Sequence, residues 1–157
     1  MRLGFEVRAD GVHVWVDAPY HKDPAPIDSP GPTMGLWLYE VVEIFIAGDE
    51  ERYLELEMGP HGHYLMLVLD GVRQVVGQPV VQDYTAQIVD GRWTGQARFA
   101  VGYLPSEPWT LNAYSIHGVG EQRVHQAMIP VPGDQPDFHR LDVFARAEDY
   151  RQGSSSE

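Results

Sequence analysis

The chain has no cysteine and a single lysine, Lys22. The first absence excludes disulfides, thiol nucleophiles and zinc sites built on thiolates. The second goes with a marked shortage of positive charge: 11 basic residues face 23 acidic ones, for a formal net charge of -12. Phosphate backbones and anionic headgroups repel such a chain, so composition argues against nucleic-acid and membrane-surface binding and leaves neutral or cationic ligands. No apolar run approaches the roughly 20 residues of a membrane-crossing helix, and the opening MRLGFEVRADG places charges where a signal peptide keeps an apolar stretch. The expected location is therefore cytoplasmic. Ser29, Ser106 and Ser115 sit in no Gly-x-Ser-x-Gly elbow and no Gly-rich phosphate loop is present, so a non-enzyme is expected.

What remains is an ordinary globular composition. With 157 residues, 43% hydrophobic and 22% charged, the chain suits one domain, expected over residues 1–150, with a disordered tail over 151–157. Sixteen glycines and twelve prolines punctuate short runs rich in Val, Leu, Ile, Tyr and Trp, a pattern of strands joined by turns. A first hairpin is expected from Leu3 to Arg8 and Val12 to Asp17, turning at Ala9-Asp10-Gly11. The proline-rich stretch from Ala18 to Pro32 lacks ladder donors and reads as an irregular loop. Strands are expected near Val41 to Ala47, Arg52 to Met58, His63 to Leu69, Val80 to Ile88, Arg92 to Val101, Trp109 to His117, Gln122 to Ile129 and Phe138 to Ala145, with a helical turn in GYLPSE. About ten strands without a helical period imply an all-β fold, an antiparallel β-sandwich or a closed barrel, and the sandwich is favoured. Val42, Ile44, Leu54, Leu56, Trp93 and Phe99 are expected between its sheets.

The densest stretch runs from Leu36 to Met58. If Val42, Ile44 and Ile46 face the core, the two-residue period puts Val41, Glu43 and Phe45 on the opposite face, and Tyr53, Glu55 and Glu57 join them through a hairpin at Gly48-Asp49-Glu50-Glu51. Such an acidic, aromatic face suits a polyol, because rings stack on aromatic planes while carboxylates accept hydroxyl hydrogen bonds. The plain reading of Glu55 and Glu57 is a solvated sheet face. Paired carboxylates such as Glu43 and Glu55 also raise glycoside hydrolysis, but no hydrolase motif accompanies them. Arg98 alternates with Trp93 and Phe99 and is expected to balance Glu43 or Glu55 or to donate to sugar hydroxyls. His61 and His63 have i, i+2 spacing, but Pro60 and Gly62 make that a turn without a third ligand, so no metal is expected. No cofactor is expected either, since haem would need His or Met around a deep apolar pocket.

Several motifs resemble known families. Trp37 through Phe45 (WLYEVVEIF), Tyr53-Leu54-Glu55-Leu56 and Arg92 through Val101 (RWTGQARFAV) resemble, in order, the motifs of family 9 carbohydrate-binding modules, which share a jelly-roll-like, DOMON-like sandwich. Trp37, Glu43, Trp93 and Asn112 fall in matching places. A second resemblance runs nearly end to end, through Asp23-Pro24-Ala25-Pro26, Tyr39-Glu40-Val41-Val42-Glu43, Pro60-His61-Gly62, Ile116-His117-Gly118 and Pro136-Asp137-Phe138-His139. It is to a family of small proteins from bacteria and animals whose name records no function. The module resemblance implies a non-catalytic protein that holds a mono- or oligosaccharide terminus. Trp37 would be its stacking platform, Glu43 a hydroxyl acceptor, Arg98 a donor and Asn112 an amide partner, with Trp109, Tyr114 or His117 as the second platform. The alternative is a protein-protein interaction module, or a homodimer, using the same aromatic face.

Overall fold

A computed structural model of the chain describes residues 1–150; the tail expected over 151–157 lies outside the described residues. The strands are β1 (Arg2–Arg8), β2 (Gly11–Pro19), β3 (Gly31–Pro32), β4 (Val41–Ala47), β5 (Arg52–Met58), β6 (His63–Asp70), β7 (Val75–Gly77), β8 (Asp83–Val89), β9 (Arg92–Phe99), β10 (Thr110–His117), β11 (Val124–Ala127) and β12 (Ala145–Arg146). They form two sheets. The smaller has the order β1-β2-β9-β8; the larger runs β11-β10-β4-β5-β6-β3, with β7 on β6 and β12 on β10. Every described pair is antiparallel except the two-residue contact of β3 with β6. The fold is thus the expected antiparallel sandwich, and among the described residues no helix is long and apolar enough to cross a membrane.

The register follows from side-chain alternation. In β4 and β5, pairing of Ile44 with Leu56 and of Ile46 with Leu54 sets Val42, Ile44, Ile46, Leu54, Leu56 and Met58 toward the smaller sheet. There they meet Val12, Val14 and Val16 of β2 and Trp93, Ala97 and Phe99 of β9. Burying such side chains contributes on the order of 1.5–3 kcal/mol each, which makes this layer the main source of stability. All six residues expected between the sheets are there.

The larger sheet also buries its other face. Val41, Phe45, Ala47, Tyr53, Leu65, Leu67, Leu69, Tyr114 and Ile116 form a second apolar cluster with Leu36, and Val131, Phe138, Leu141, Val143 and Phe144 pack on it. The last five belong to a C-terminal strap that crosses the sheet without pairing along most of its length.

The strap corrects one expectation: the region from Phe138 to Ala145 is not a strand. It holds a short 3-10 turn at Leu141–Val143 and reaches β12 only at Ala145. The apolar positions 138, 141, 143 and 144 do not alternate, and Pro130, Pro132 and Pro136 upstream cannot donate to a ladder. Smaller differences follow the same chemistry. The strand expected from Val80 begins at Asp83, after Pro79, and the one expected to reach Val101 ends at Phe99. The turn expected in GYLPSE lies slightly earlier, at Val101–Tyr103.

Candidate functional site

Glu43, Glu55 and Glu57 meet on the strap side of the larger sheet. Glu43 pairs with Glu57 across the β4–β5 ladder, and Glu55, paired with Phe45, is one step away on the same face. One carboxylate oxygen from each lies within 4.8 Å of the others. All three residues are buried: Glu43 is 1% exposed, Glu55 5% and Glu57 0%. Among the described residues, the four carboxylate oxygens of Glu43 and Glu57 have no hydrogen-bond partner. The Trp37 amide and the Glu55 carboxyl lie close to Glu57 without reaching hydrogen-bond geometry.

Burial disfavours the charged form of each group. It raises Glu43 well above the ordinary carboxyl range, with the Glu55 charge adding to the effect and Arg123 opposing it. Glu57 is raised by burial and then by Glu43 and Glu55. Glu55, with the largest remaining exposure of the three, is raised by burial to about 7.

Arg123 is the cation beside Glu43, yet its guanidinium is committed to backbone. It donates to the carbonyl oxygens of Gly118 at 2.9 Å, Trp37 at 2.6 Å and Tyr39 at 2.9 Å. It thereby clamps the turn at Leu36–Leu38 to the loop after β10. Tyr114, opposite Glu43 in the β4–β10 ladder, closes the next side. Its ring stacks on Phe138 of the strap with centroids 4.0 Å apart.

Two polar knots hold the coverings in place. Glu40, 5% exposed, accepts the His21 and Asp23 backbone amides at 2.8 and 3.3 Å, and Asp23 accepts the Gly118 amide at 2.6 Å. His21 lies flat on His117 at 3.5 Å, and burial, then His21, hold the His117 imidazole below its ordinary value. On the strap, the Arg73 amide donates to the Tyr53 hydroxyl at 2.8 Å, and that hydroxyl is hydrogen-bonded with Nδ1 of His139 at 2.7 Å. Arg73 also pairs with Asp137.

Between the strap and β10–β11 lies an open cleft of about 380 Å³, lined by Tyr114, His125, Ala127, Val131, Asp134, Gln135, Asp137 and Phe138 among others. A second cleft of about 300 Å³ opens at the far end of β5 and β6, beside Arg52, Tyr53, Asp70 and Tyr103. Trp37 lines neither of these two clefts.

The UPF0462 protein C4orf33 homolog of Danio rerio is 40% identical over 153 residues, which cover 92% of this chain and 78% of that protein. This chain belongs to the UPF0462 family. UPF0462 protein C4orf33 of Homo sapiens is 39% identical over 143 residues, or 85% of this chain and 72% of that one. No protein-family model matches the sequence. Among solved structures, a putative carbohydrate-binding protein from Bacteroides uniformis aligns with a TM-score of 0.59 over 85% of this chain and 69% of that one. At 15% identity that likeness is one of fold.

In this UPF0462 chain the site residues expected from sequence do not converge. Glu43 and Tyr114 share the buried site, and the Trp37 backbone borders it while its side chain is 42% exposed. Arg98 is elsewhere, since β9 belongs to the smaller sheet, where Arg98 pairs with Asp83 and, at 3.4 Å, with Asp10; it balances neither Glu43 nor Glu55. Asn112 is fully buried and saturated: its Nδ2 donates to the Tyr114 hydroxyl and the Ile129 carbonyl, and its Oδ1 accepts the Ala113 and Ile129 amides. That is a bracket pinning the strap's first residues to β10, with nothing left for a ligand. Trp109 donates to the Pro105 carbonyl and packs on Phe5 at the sandwich end, and His117 is occupied by His21. Glu55 and Glu57, expected on a solvated face, lie beneath the coverings. His61 and His63 have separate partners, the Tyr20 hydroxyl and the Asp28 carbonyl.

Sequence reasoning missed that burial, although a signal existed. In VVEIFIA, Glu43 is the sole polar residue, and a nearly continuous apolar strand is one buried on both faces. Arg123, Phe138 and the strap left no comparable local mark.

Proposed function

We propose that this UPF0462 chain is a non-catalytic saccharide-binding sandwich related to family 9 carbohydrate-binding modules and DOMON-like domains. The observation that carries the reading is the open cleft beside the Tyr114–Phe138 stack. Phe138 offers a partly exposed ring, and His125, Asp134, Gln135 and Asp137 supply donors and acceptors around it. An apolar plane framed by directional polar groups is the chemistry a pyranose ring needs. The volume of about 380 Å³ suits one or two sugar units. The fold likeness to a putative carbohydrate-binding protein supports the same reading. The paired glutamates do not argue for hydrolysis, because a glycosidic bond has no access to carboxylates as buried as those of Glu43 and Glu57.

A glycan array followed by calorimetry on each hit tests this. Saturable binding with one ligand per chain is expected, and Phe138→Ala should weaken it by about 1–3 kcal/mol. Failure of every glycan to bind saturably, or turnover of a bound glycoside, would sink the reading.

A second reading, an interaction surface for a protein partner, is favoured by one patch. Met34, Trp37 and Leu38 around the Leu36–Leu38 turn are exposed by 60%, 42% and 68%, and such an apolar knob suits a partner better than a hydroxylated ligand. Concentration-dependent self-association abolished by Trp37→Ala would favour it.

A further inference from the structure

We propose that the Glu43–Glu55–Glu57 cluster binds one oxygen-ligated divalent cation of the calcium type. Three features of the structure lead there. First, one oxygen from each carboxylate lies within 4.8 Å of the others, a spread that an ion among them spans with bonds of about 2.3–2.6 Å. Second, Glu43 and Glu57 are 1% and 0% exposed, and all four of their carboxylate oxygens are without a hydrogen-bond partner among the described residues. Buried polar atoms in folded proteins are nearly always satisfied, so this set of acceptors points to a positively charged occupant. Third, the local charges define that occupant. Three carboxylates face one guanidinium, Arg123, and a divalent ion restores neutrality where a monovalent ion leaves an excess of negative charge.

The donor set narrows the ion further. It contains oxygen alone, with no imidazole or thiolate, which selects hard cations over zinc or copper. Calcium accepts carboxylates in one- or two-oxygen contact and tolerates irregular geometry. Magnesium demands a regular octahedron and gives up its waters reluctantly, which the burial of Glu43 and Glu57 disfavours. The three glutamates come from two adjacent, fully paired strands, so the ligands are held by the ladder and need little ordering when the ion binds. This inference is independent of the saccharide reading: Tyr114 borders both places, but none of the three glutamates lines the cleft.

The test uses the whole chain, stripped with a chelator and titrated with calcium, manganese and magnesium chlorides by calorimetry, with thermal melting in parallel and no sugar present. One calcium or manganese ion should bind per chain and raise the melting temperature, with magnesium at least about tenfold weaker. Glu43→Gln/Glu57→Gln should lose at least about tenfold in calcium affinity, while its metal-free melting temperature stays level or rises. Glu50→Gln/Glu51→Gln, on the exposed β4–β5 turn, should bind as the parent does. Absence of saturable binding by the folded, metal-free parent at millimolar ion overturns the proposal. So does unchanged affinity in the Glu43/Glu57 variant, or an equal loss in the Glu50/Glu51 variant. If the Glu43/Glu57 variant does not fold, terbium added to the parent decides. Emission sensitised through Tyr114 and quenched by calcium supports the site, and its absence refutes it.

Discussion

Strands β4 and β5 show two faces to two different environments, and the comparison isolates what each environment asks of a sequence. Toward the smaller sheet, Val42, Ile44, Ile46, Leu54, Leu56 and Met58 form a dry layer without a polar side chain. Toward the strap, the same strands place Glu43, Glu55 and Glu57 among Val41, Phe45 and Tyr53, buried almost as deeply. A stability-optimised strap face would carry aliphatic side chains at all three glutamate positions, because a buried carboxyl without donors costs free energy that an isosteric apolar group does not. The first face is built to hold the fold together; the second keeps ionisable groups buried at a cost in stability.

Three perturbations test that division. The largest effect is expected on the dry face: Leu56→Ala should cost about 2–5 kcal/mol in denaturant unfolding, through lost transfer energy plus a cavity. A cost under about 1 kcal/mol would mean that the inter-sheet layer is not the main core.

The second concerns pH, and its sign is set by the raised carboxyls. Burial lifts Glu55 from 4.5 in the unfolded chain to about 7 in the folded one, so the native state holds its proton more tightly. The stability linked to that proton is complete below pH 4.5 and disappears as pH rises through about 7. Chelator-treated protein should therefore lose on the order of 3 kcal/mol through Glu55 between pH 4.5 and 7.5, and Glu55→Gln should make the slope shallower while the part due to the raised Glu43 and Glu57 carboxyls remains. Stability rising across this window would place ionised, well-solvated carboxylates on the strap face and break the comparison.

The smallest effect is expected one residue along from Leu56, on the opposite face. Glu57→Gln keeps the shape and removes an ionisable group without a hydrogen-bond partner among the described residues, so in chelator below pH 4.5, where the carboxyl keeps its proton in both states, its unfolding free energy should change by less than about 1 kcal/mol. A loss as large as that of Leu56→Ala would show that the Glu57 carboxylate is structurally paired.

Alternation made much of the fold legible. The limits expected for β4 and β5 are those observed, because each strand has apolar residues in strict register and a turn-forming Gly48-Asp49 between them. Alternation also put Glu43, Glu55 and Glu57 on a common face, but local sequence carries no record of what later covers it. The covering comes from residues such as Phe138 and Phe144, far along the chain and without a two-residue period. Arg98 shows the complementary limit. Its parity within β9 was readable, yet only strand order, with β9 between β2 and β8, decides that its partners are Asp83 and Asp10. Asn112 was singled out for an amide that a ligand would want, and the backbone of Ala113 and Ile129 uses that same amide.

The way the strap is fastened bears on its rate of opening. It is held by side-chain knots, Tyr53 with His139, Arg73 with Asp137, Phe138 on Tyr114 and Asn112 with the Ile129 backbone, and among the described residues by ladder bonds only where β12 meets β10. Releasing it breaks few backbone hydrogen bonds and leaves both sheets paired, so it is a sub-global event with a free energy below that of complete unfolding. Amide protons between Val131 and Phe144 should exchange with solvent orders of magnitude faster than those of β4 and β5. The same opening gives water and solutes a route to the strap face while the inter-sheet layer stays closed, so traffic to Glu43 and Glu57 is timed by a local fluctuation rather than by the lifetime of the fold.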